Sequence, residues 1–130
     1  MAAEALRERG ETLSSYSFEY EGNKENFHAT LFQPQGDDEY AADLAAYLGT
    51  EHTVLTAPTS EVAECLTAAA FARDLPGQAD IDSSLLLYCG MIKQHHTVAL
   101  SGECSDEIFG GYPWFYRPEM LERPFFPWLH

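Results

Sequence analysis

Three carboxylate residues lie within five positions near the C-terminal end of the sequence: Glu103, Asp106 and Glu107, directly after Ser101-Gly102. If this segment turns helical, residues three and four positions apart share a face, so the acids converge at a helix N-terminus. Clustered carboxylates suit a divalent cation, and Mg²⁺ favours one or two carboxylates together with substrate phosphates. A capped surface turn, with solvated acids stabilised by the helix dipole, explains the same pattern.

The residues around the acids predict how they are positioned. Residues 97–100 are apolar or β-branched, which predicts a short buried strand, and Gly102 then allows a sharp turn. Ser105 can cap the helical turn that carries the two later acids, and Gly110-Gly111 ends that turn. The acids are therefore expected at the C-terminal end of a strand, where open α/β sheets bind ligands.

Other residues with chemical potential have simpler explanations. Asp80 and Asp82 precede a predicted helix and can cap it, although a loop with two acids can also line an active site. His95-His96 is predicted to be a solvated helix end, because adjacent side chains diverge and no Cys or Asp has a ligand-like spacing. Cys104 is an unfavourable nucleophile, since the neighbouring carboxylates disfavour a thiolate.

The remaining pattern alternates helices and strands. Helices are predicted over residues 2–9, 37–48, 59–73 and 83–94, with a loop over 79–82 and strands over 15–20, 51–56 and 97–100. This alternation indicates an α/β fold, with a parallel sheet and helices on both faces.

Composition excludes several classes of function. The 130 residues carry a formal charge of −14, which disfavours binding to nucleic acid or to anionic membranes. No apolar run approaches the length of a membrane span, and three widely spaced cysteines without a CxxC pair suggest reduced thiols in the cytoplasm. Nucleotide bound through Mg²⁺ remains compatible, because the metal supplies positive charge locally.

The run Ser101-Gly102-Glu103-x-Ser105-Asp106-Glu107-Ile108-Phe109-Gly110-Gly111-Tyr112 resembles the second signature of the synthetase domain of glutamine-hydrolysing asparagine synthetases. The resemblance covers residues 1–115 as a partial ATP-binding synthetase domain and leaves residues 116–130 unassigned. It implies an adenine-nucleotide alpha-hydrolase fold, also called the PP-loop ATPase type. It also implies a ligase that binds Mg·ATP and activates aspartate as an acyl-adenylate. Ammonia, which a glutaminase domain releases from glutamine, then attacks to give asparagine.

The resemblance also implies roles for individual residues. Ser101 and Gly102 would contact ATP, and Tyr20 would present backbone atoms to adenine. Glu103 would lie beside the adenylated carboxylate as the general base for ammonia, in contact with the nucleotide. Asp106 would bind Mg²⁺ and pyrophosphate.

One part of the family pattern is missing from this sequence. The Gly-rich pyrophosphate loop, Ser-Gly-Gly-x-Asp-Ser in the family, should precede the first helix together with the first, central strand of the sheet. Without that strand, two strands are expected to pair abnormally or to stay apart with unpaired backbone groups. We therefore expect this polypeptide by itself to be weakly stable and inactive, as a fragment of a longer protein or a truncated reading frame.

Three alternatives remain open at this point. A related amidotransferase or a β-lactam synthetase-like enzyme would use the same adenylation on another substrate. A non-catalytic module would bind nucleotide weakly or pair with another subunit, and homo-oligomerisation is compatible with either. A chance acid turn in an unrelated α/β domain is the third.

Overall fold

The computed structural model describes residues 1–30, 35–75, 77–122 and 126. Its elements in chain order are α1 (Ala2–Glu8), β1 (Ser14–Tyr20), α2 (Asn23–Asn26), α3 (Asp38–Leu48), β2 (Glu51–Ala57), α4 (Thr59–Arg73), α5 (Ala79–Lys93), α6 (Ser105–Phe109), a 3₁₀ turn (Pro113–Phe115) and α7 (Pro118–Leu121). The chain divides into two compact units. The first comprises Met1–Phe27 and Gly36–Val98, and the second comprises His28–Gln35 and Ala99–His130. Among the helices of the described ranges, none combines the length and the apolar character that a membrane crossing requires.

The first unit is built on a two-stranded parallel sheet. Strands β1 and β2 pair in register from Ser14 opposite Glu51 to Tyr20 opposite Ala57. A parallel pair needs a crossover connection, and α3 provides it, ending at Gly49 in the left-handed conformation. The predicted α/β class with a parallel sheet is therefore confirmed for this unit.

Helix α5 covers one face of the sheet, and aromatic side chains of β1 make the contact. The ring of Phe18 stacks on that of Tyr88 at a centroid distance of 4.0 Å. The Tyr20 hydroxyl donates to Ser84 Oγ at 2.9 Å, and the Tyr88 hydroxyl donates to the backbone oxygen of Glu19 at 2.9 Å. Tyr88 is only 2% exposed, which makes it the largest buried side chain of this unit among the described residues.

Burial of Tyr88 predicts a loss of stability at alkaline pH. Burial removes water from the Tyr88 hydroxyl and is the main reason that its pKa rises from the ordinary value of 10.0 to about 12. Electrostatic repulsion from Tyr20 and Glu19 adds smaller contributions in the same direction. The unfolded chain loses this proton first, so the contribution of Tyr88 to stability is complete below pH 10 and is lost as the pH rises toward 12. We expect the free energy of unfolding to fall by up to about 1.4 kcal/mol per pH unit in this window through Tyr88 alone. Urea titrations between pH 9 and 12 measure it, and Tyr88→Phe should be less stable at pH 9 yet show a shallower decline. An identical decline in both proteins would contradict the assignment.

The opposite face of β1 and β2 carries a polar cluster. Ser15 Oγ lies 2.9 Å from His52 Nδ1, and Ser17 Oγ lies 3.1 Å from His52 Nε2. Both ring nitrogens of His52 are thus occupied by hydroxyl groups of the neighbouring strand. This arrangement ties the two strands together through side chains in addition to their backbone ladder.

Helices α4 and α5 pack against each other, and an ion pair closes the turn between them. Arg73, the last residue of α4, pairs with Asp82, whose side chain is 9% exposed. A Cβ atom at Gly77 would lie 3.2 Å from Asp82 Cγ and closer still to its carboxylate, so a side chain there would displace the pair. The predicted loop over residues 79–82 is therefore wrong: α5 begins at Ala79, and Asp82 lies in its first turn.

Loss of the two partners of this ion pair should have unequal costs. Arg73 is largely exposed, whereas Asp82 is buried and its Oδ2 has no hydrogen-bond partner. Arg73→Ala leaves a buried carboxylate without its partner and should lower the free energy of unfolding by about 2–3 kcal/mol. Asp82→Ala leaves an arginine that water can solvate and should lower it by about 1 kcal/mol. Urea unfolding of both variants measures the difference. Equal costs would contradict this account of the turn.

The predicted strand over residues 97–100 is absent. The chain passes from the first unit to the second between Val98 and Ala99, and residues 97–100 have no strand conformation. Val98 and Leu100 are 77% and 90% exposed. A strand requires a neighbour for its backbone groups, and in the described part of the chain β1 and β2 pair only with each other.

The described residues also leave many large apolar side chains in contact with solvent. The buried apolar residues of the first unit are Ala3, Ala45, Ala57, Ala69 and Tyr88, of which only the last is large. The outer faces of α3 and α4 expose Tyr40, Leu44, Tyr47, Leu66 and Phe71. Burial of apolar area is the main source of stability in a fold, so this distribution is consistent with the low stability expected from the sequence.

Candidate functional site

The acid segment lies in the second unit, where a compact turn precedes α6. The Glu103 N–H donates to Ser101 Oγ at 3.0 Å, and the Ser105 N–H donates to the backbone oxygen of Gly102 at 3.0 Å. The Ser105 hydroxyl donates to the same oxygen. Hydroxyl side chains therefore hold the Ser101-Gly102 turn closed by local bonds of the kind that serine makes in turns.

The N-cap of α6 is Cys104 and not Ser105, which corrects the prediction that Ser105 caps this turn. Cys104 adopts the left-handed conformation with φ 65° and ψ 9°, and α6 begins at Ser105. A non-glycine residue with positive φ is uncommon, and here it redirects the backbone so that the Ser105 hydroxyl points back to Gly102. The side chain of Cys104 makes no capping hydrogen bond.

Two of the three acids lie in the first turn of α6. Asp106 and Glu107 are exposed, and Glu103 is an exposed residue of the preceding turn. Helix α6 ends, as predicted, at Gly110, which is left-handed with φ 72°. The Gly111 N–H then donates to the backbone oxygen of Asp106 at 3.0 Å. The Gly110-Gly111 loop thus turns back toward Asp106, the second of the three acids.

Tyr112 adds a contact that the sequence analysis did not predict. Its hydroxyl donates to Glu107 Oε1 at 3.4 Å, and its ring stacks on that of Trp114 at 4.2 Å. The negative charge of Glu107, together with smaller effects that include Asp106, raises the pKa of Tyr112. Tyr112 therefore stays protonated and donates to Glu107, a contact that ties the first turn of α6 to the residue after Gly111.

The donor chemistry of this turn fits a magnesium ion that is shared with a substrate. Among the described residues, no group of three or more His, Cys, Asp or Glu side chains is arranged to hold a metal ion. A fully protein-made cage is therefore absent from that part of the chain. Mg²⁺ characteristically uses one or two carboxylates and completes its shell with water and phosphate oxygens, and an exposed Asp106 offers one such carboxylate.

Comparison with known proteins decides the family of this sequence. The family model described as asparagine synthase matches residues 1–130. The chain belongs to the asparagine synthase family. Asparagine synthetase [glutamine-hydrolyzing] 3 of Bacillus subtilis (strain 168) is 43% identical over 117 residues, which cover 90% of this chain and 19% of the relative. Asparagine synthetase [glutamine-hydrolyzing] 1 of the same strain is 35% identical over 107 residues, or 76% of this chain and 17% of the relative. The chain spans about a fifth of the length of these relatives, and no solved structure matches it significantly.

The other predicted site residue of this asparagine synthase family member lies in the first unit. Tyr20 is the last residue of β1, at the C-terminal edge of the parallel sheet. Its hydroxyl donates to Ser84 Oγ, and its side chain is 43% exposed. Lys24 follows in α2. Its Nζ lies 3.2 Å from Glu19 Oε1 and 3.7 Å from Asp38 Oδ2. The hydrogen bond to Glu19 raises the pKa of Lys24, so this cation is tied to two acids of its own unit.

The remaining polar candidates have structural roles in the family member. Asp82 pairs with Arg73 in the first unit, and Asp80 lies in α5 with a side chain outside the described part of the structure. His96 Nε2 lies 2.8 Å from the Tyr16 hydroxyl, and His95 is exposed just beyond the end of α5. The predicted solvated helix end therefore describes His95, whereas His96 is half-buried and bonded to β1. Phe125 and Trp128, in the C-terminal segment that the resemblance leaves unassigned, lie outside the described residues.

Proposed function

We propose that this chain is the nucleotide-binding part of an enzyme that makes asparagine by ATP-dependent amide-bond formation. The observation that carries the proposal is the run from Ser101 to Tyr112, a closed turn and a short helix that display Glu103 and Asp106 to solvent. Family membership and two relatives named as glutamine-hydrolysing asparagine synthetases support the same function. The fold is proposed to be of the PP-loop ATPase type, with residues 1–115 as the partial synthetase domain.

The proposed reaction joins two chemical steps. The side-chain carboxylate of aspartate attacks the α-phosphorus of ATP, which forms an aspartyl-adenylate and releases pyrophosphate. Ammonia then attacks the acyl carbon, and AMP leaves with the bonding electrons. The glutaminase domain of the enzyme is proposed to release that ammonia from glutamine, and the enzyme is proposed to be cytoplasmic.

Residues of the acid segment have separate roles in this proposal. Ser101 and Gly102 contact the nucleotide, since their turn is short and its backbone is accessible. Glu103 accepts a proton from the attacking ammonia, and an exposed carboxylate next to the adenylate is suited to that role. Tyr20 contributes backbone atoms to adenine recognition from the C-terminal edge of β1, where parallel sheets bind ligands.

Asp106 is proposed to hold the magnesium ion that accompanies ATP. The bound ion would offset negative charge on the departing pyrophosphate. Asp106 would contribute one carboxylate oxygen to that ion, and the bond from the Gly111 N–H to its backbone oxygen holds the backbone that carries this side chain. Other amide-forming ligases, including β-lactam synthetase-like enzymes, share this machinery, and asparagine synthesis is favoured because both relatives carry that name.

A non-catalytic pairing module is a second candidate, and the exposed apolar side chains favour it. Phe71 on α4 and Ile108 and Phe109 on α6 are each more than 70% exposed. Apolar surface of this kind indicates association with another chain or segment. Such a module would not need Asp106 or Glu103.

Isothermal calorimetry of ATP binding to the purified 130-residue chain distinguishes the two candidates. The nucleotide-binding function predicts one site whose affinity requires Mg²⁺ and disappears with EDTA. Far-UV circular dichroism of the same sample establishes that the chain is folded. A folded chain that binds no Mg·ATP would contradict the proposal for these residues and favour the pairing module.

A further inference from the structure

The side chain of Asp106 lies in the space that a side chain on Gly111 would enter. A Cβ atom placed on Gly111 would lie 2.9 Å from Asp106 Cγ and 3.3 Å from Asp106 Cα, and nearer still to the carboxylate oxygen Oδ1. Separations below 3.0 Å do not occur for real Cβ atoms. The Asp106 carboxylate therefore occupies the space that any other residue at position 111 would fill.

Space, and not backbone conformation, is what sets glycine apart from other residues here, since a Cβ at position 111 would force the Asp106 side chain to move. Gly110 is left-handed with φ 72°, but Gly111 is not among the residues with positive φ. A Cβ at Gly110 would meet only Phe115, at an ordinary distance of 3.6 Å. The two adjacent glycines thus have different tasks: Gly110 reverses the chain after α6, and Gly111 leaves room for Asp106.

We propose that Gly111 is a positioning residue for Asp106, because its missing side chain allows the carboxylate one orientation that a larger residue would exclude. The backbone bond from the Gly111 N–H to the Asp106 oxygen holds the two residues together, so a clash moves the side chain of Asp106 more readily than the loop. The consequence for magnesium binding rests on the proposed function of Asp106. The effect of Gly111 on the orientation of the Asp106 side chain is independent of that function.

The orientation can be measured directly by NMR in the isotopically labelled chain. Three-bond couplings across χ1 of Asp106 report its rotamer populations. We expect a single dominant rotamer in the natural sequence and a different or averaged rotamer in Gly111→Ala. Gly110→Asn is the matched control, because asparagine tolerates the left-handed conformation and adds no atom near Asp106. If Asp106 retains its rotamer in Gly111→Ala, the proposal is wrong.

Binding of Mn·ATP, followed by electron paramagnetic resonance, provides the second readout. Substitutions that misorient a metal ligand typically weaken metal binding about 10–100-fold. We expect a loss of this size for Gly111→Ala and little change for Gly110→Asn. When Asp106 is already alanine, the added Gly111→Ala should have no further effect, whereas a general disruption of the loop would still weaken binding.

The two readouts separate this inference from the proposed function. A changed rotamer in a chain that never binds Mn·ATP would overturn the metal-binding role of Asp106 and still establish Gly111 as its positioning residue. A changed rotamer with unchanged Mn·ATP binding would overturn the link between orientation and metal. Unchanged amide signals from Phe115 and Met120, which lie in the second unit with Gly111, confirm that Gly111→Ala is folded. If it is not folded, the natural sequence still tests the proposal, because averaged rotamers of Asp106 there would contradict it.

Discussion

Asp106→Asn is expected to weaken the binding of Mg·ATP at least about tenfold, or about 1.4 kcal/mol in binding free energy. The substitution keeps the size of the side chain and its place in the first turn of α6, but it removes the negative charge that a hard cation prefers. Calorimetry at several Mg²⁺ concentrations measures the effect. The apparent affinity should approach that of metal-free ATP and should no longer respond to added Mg²⁺.

A control variant in the same helical turn sharpens this expectation. Glu107→Gln changes the neighbouring charge in the same helical turn, and its carboxylate is engaged by Tyr112. It should preserve the response to Mg²⁺ and lower only the stability of the loop. An equal loss of Mg²⁺ dependence in Glu107→Gln would contradict the assignment of Asp106 as the metal ligand.

Glu103→Gln is expected to slow amide formation about 10²–10⁴-fold while leaving nucleotide binding almost unchanged. General base catalysis by a positioned side chain contributes about 10²–10⁴-fold to a rate, and glutamine cannot accept the proton from ammonia. The assay needs a complete synthetase, so we would place this chain within Bacillus subtilis asparagine synthetase 3 in exchange for the 117 matching residues. Asparagine formation from added ammonia should fall by this factor.

The Glu103 prediction separates chemistry from binding. Because Glu103 lies in the turn before α6 and only its backbone N–H is bonded to Ser101, the substitution should leave the turn intact. Pyrophosphate exchange into ATP, which depends on adenylation alone, should therefore persist in Glu103→Gln. Loss of both activities together would mean that Glu103 acts in nucleotide binding and not as the base for ammonia.

The strands and long helices of the first unit follow from local sequence patterns. Four elements have predicted boundaries within one residue of those observed. Apolar spacing predicts α3 and α4, and β-branched or aromatic content predicts β1 and β2. These patterns are sufficient because each element finds its partners within the same unit. Phe18 of β1 and Tyr88 of α5, for example, stack on each other within the first unit.

Residues 97–100 show where this reasoning fails. Their composition predicts a strand, but strand formation depends on a neighbour that supplies hydrogen bonds, and composition carries no information about that neighbour. The start of α5 was misplaced for a related reason: Asp82 was interpreted as a polar loop residue, although its ion pair with Arg73 buries it. Tertiary contacts decided both outcomes.

The acid segment was predictable as a candidate site but not in its internal geometry. Its spacing identified Glu103 and Asp106, and Gly110-Gly111 was interpreted only as a helix end. The left-handed Cys104 and the packing of Gly111 against Asp106 depend on the path of the backbone after each turn. A second glycine directly after a helix-ending glycine was the available signal, since one left-handed residue is enough to end a helix.

The ratio of AMP to asparagine formed by the exchanged synthetase tests whether an enzyme that contains this chain makes asparagine through an aspartyl-adenylate. With aspartate, ammonia and Mg·ATP, we expect one AMP and one pyrophosphate for each asparagine formed. At limiting Mg·ATP, the Asp106→Asn enzyme should form all three products at least about tenfold more slowly. A folded exchange enzyme that forms asparagine with ADP and phosphate would contradict the adenylate route. One that forms no asparagine would contradict the proposal that this chain supplies the nucleotide-binding part of the enzyme.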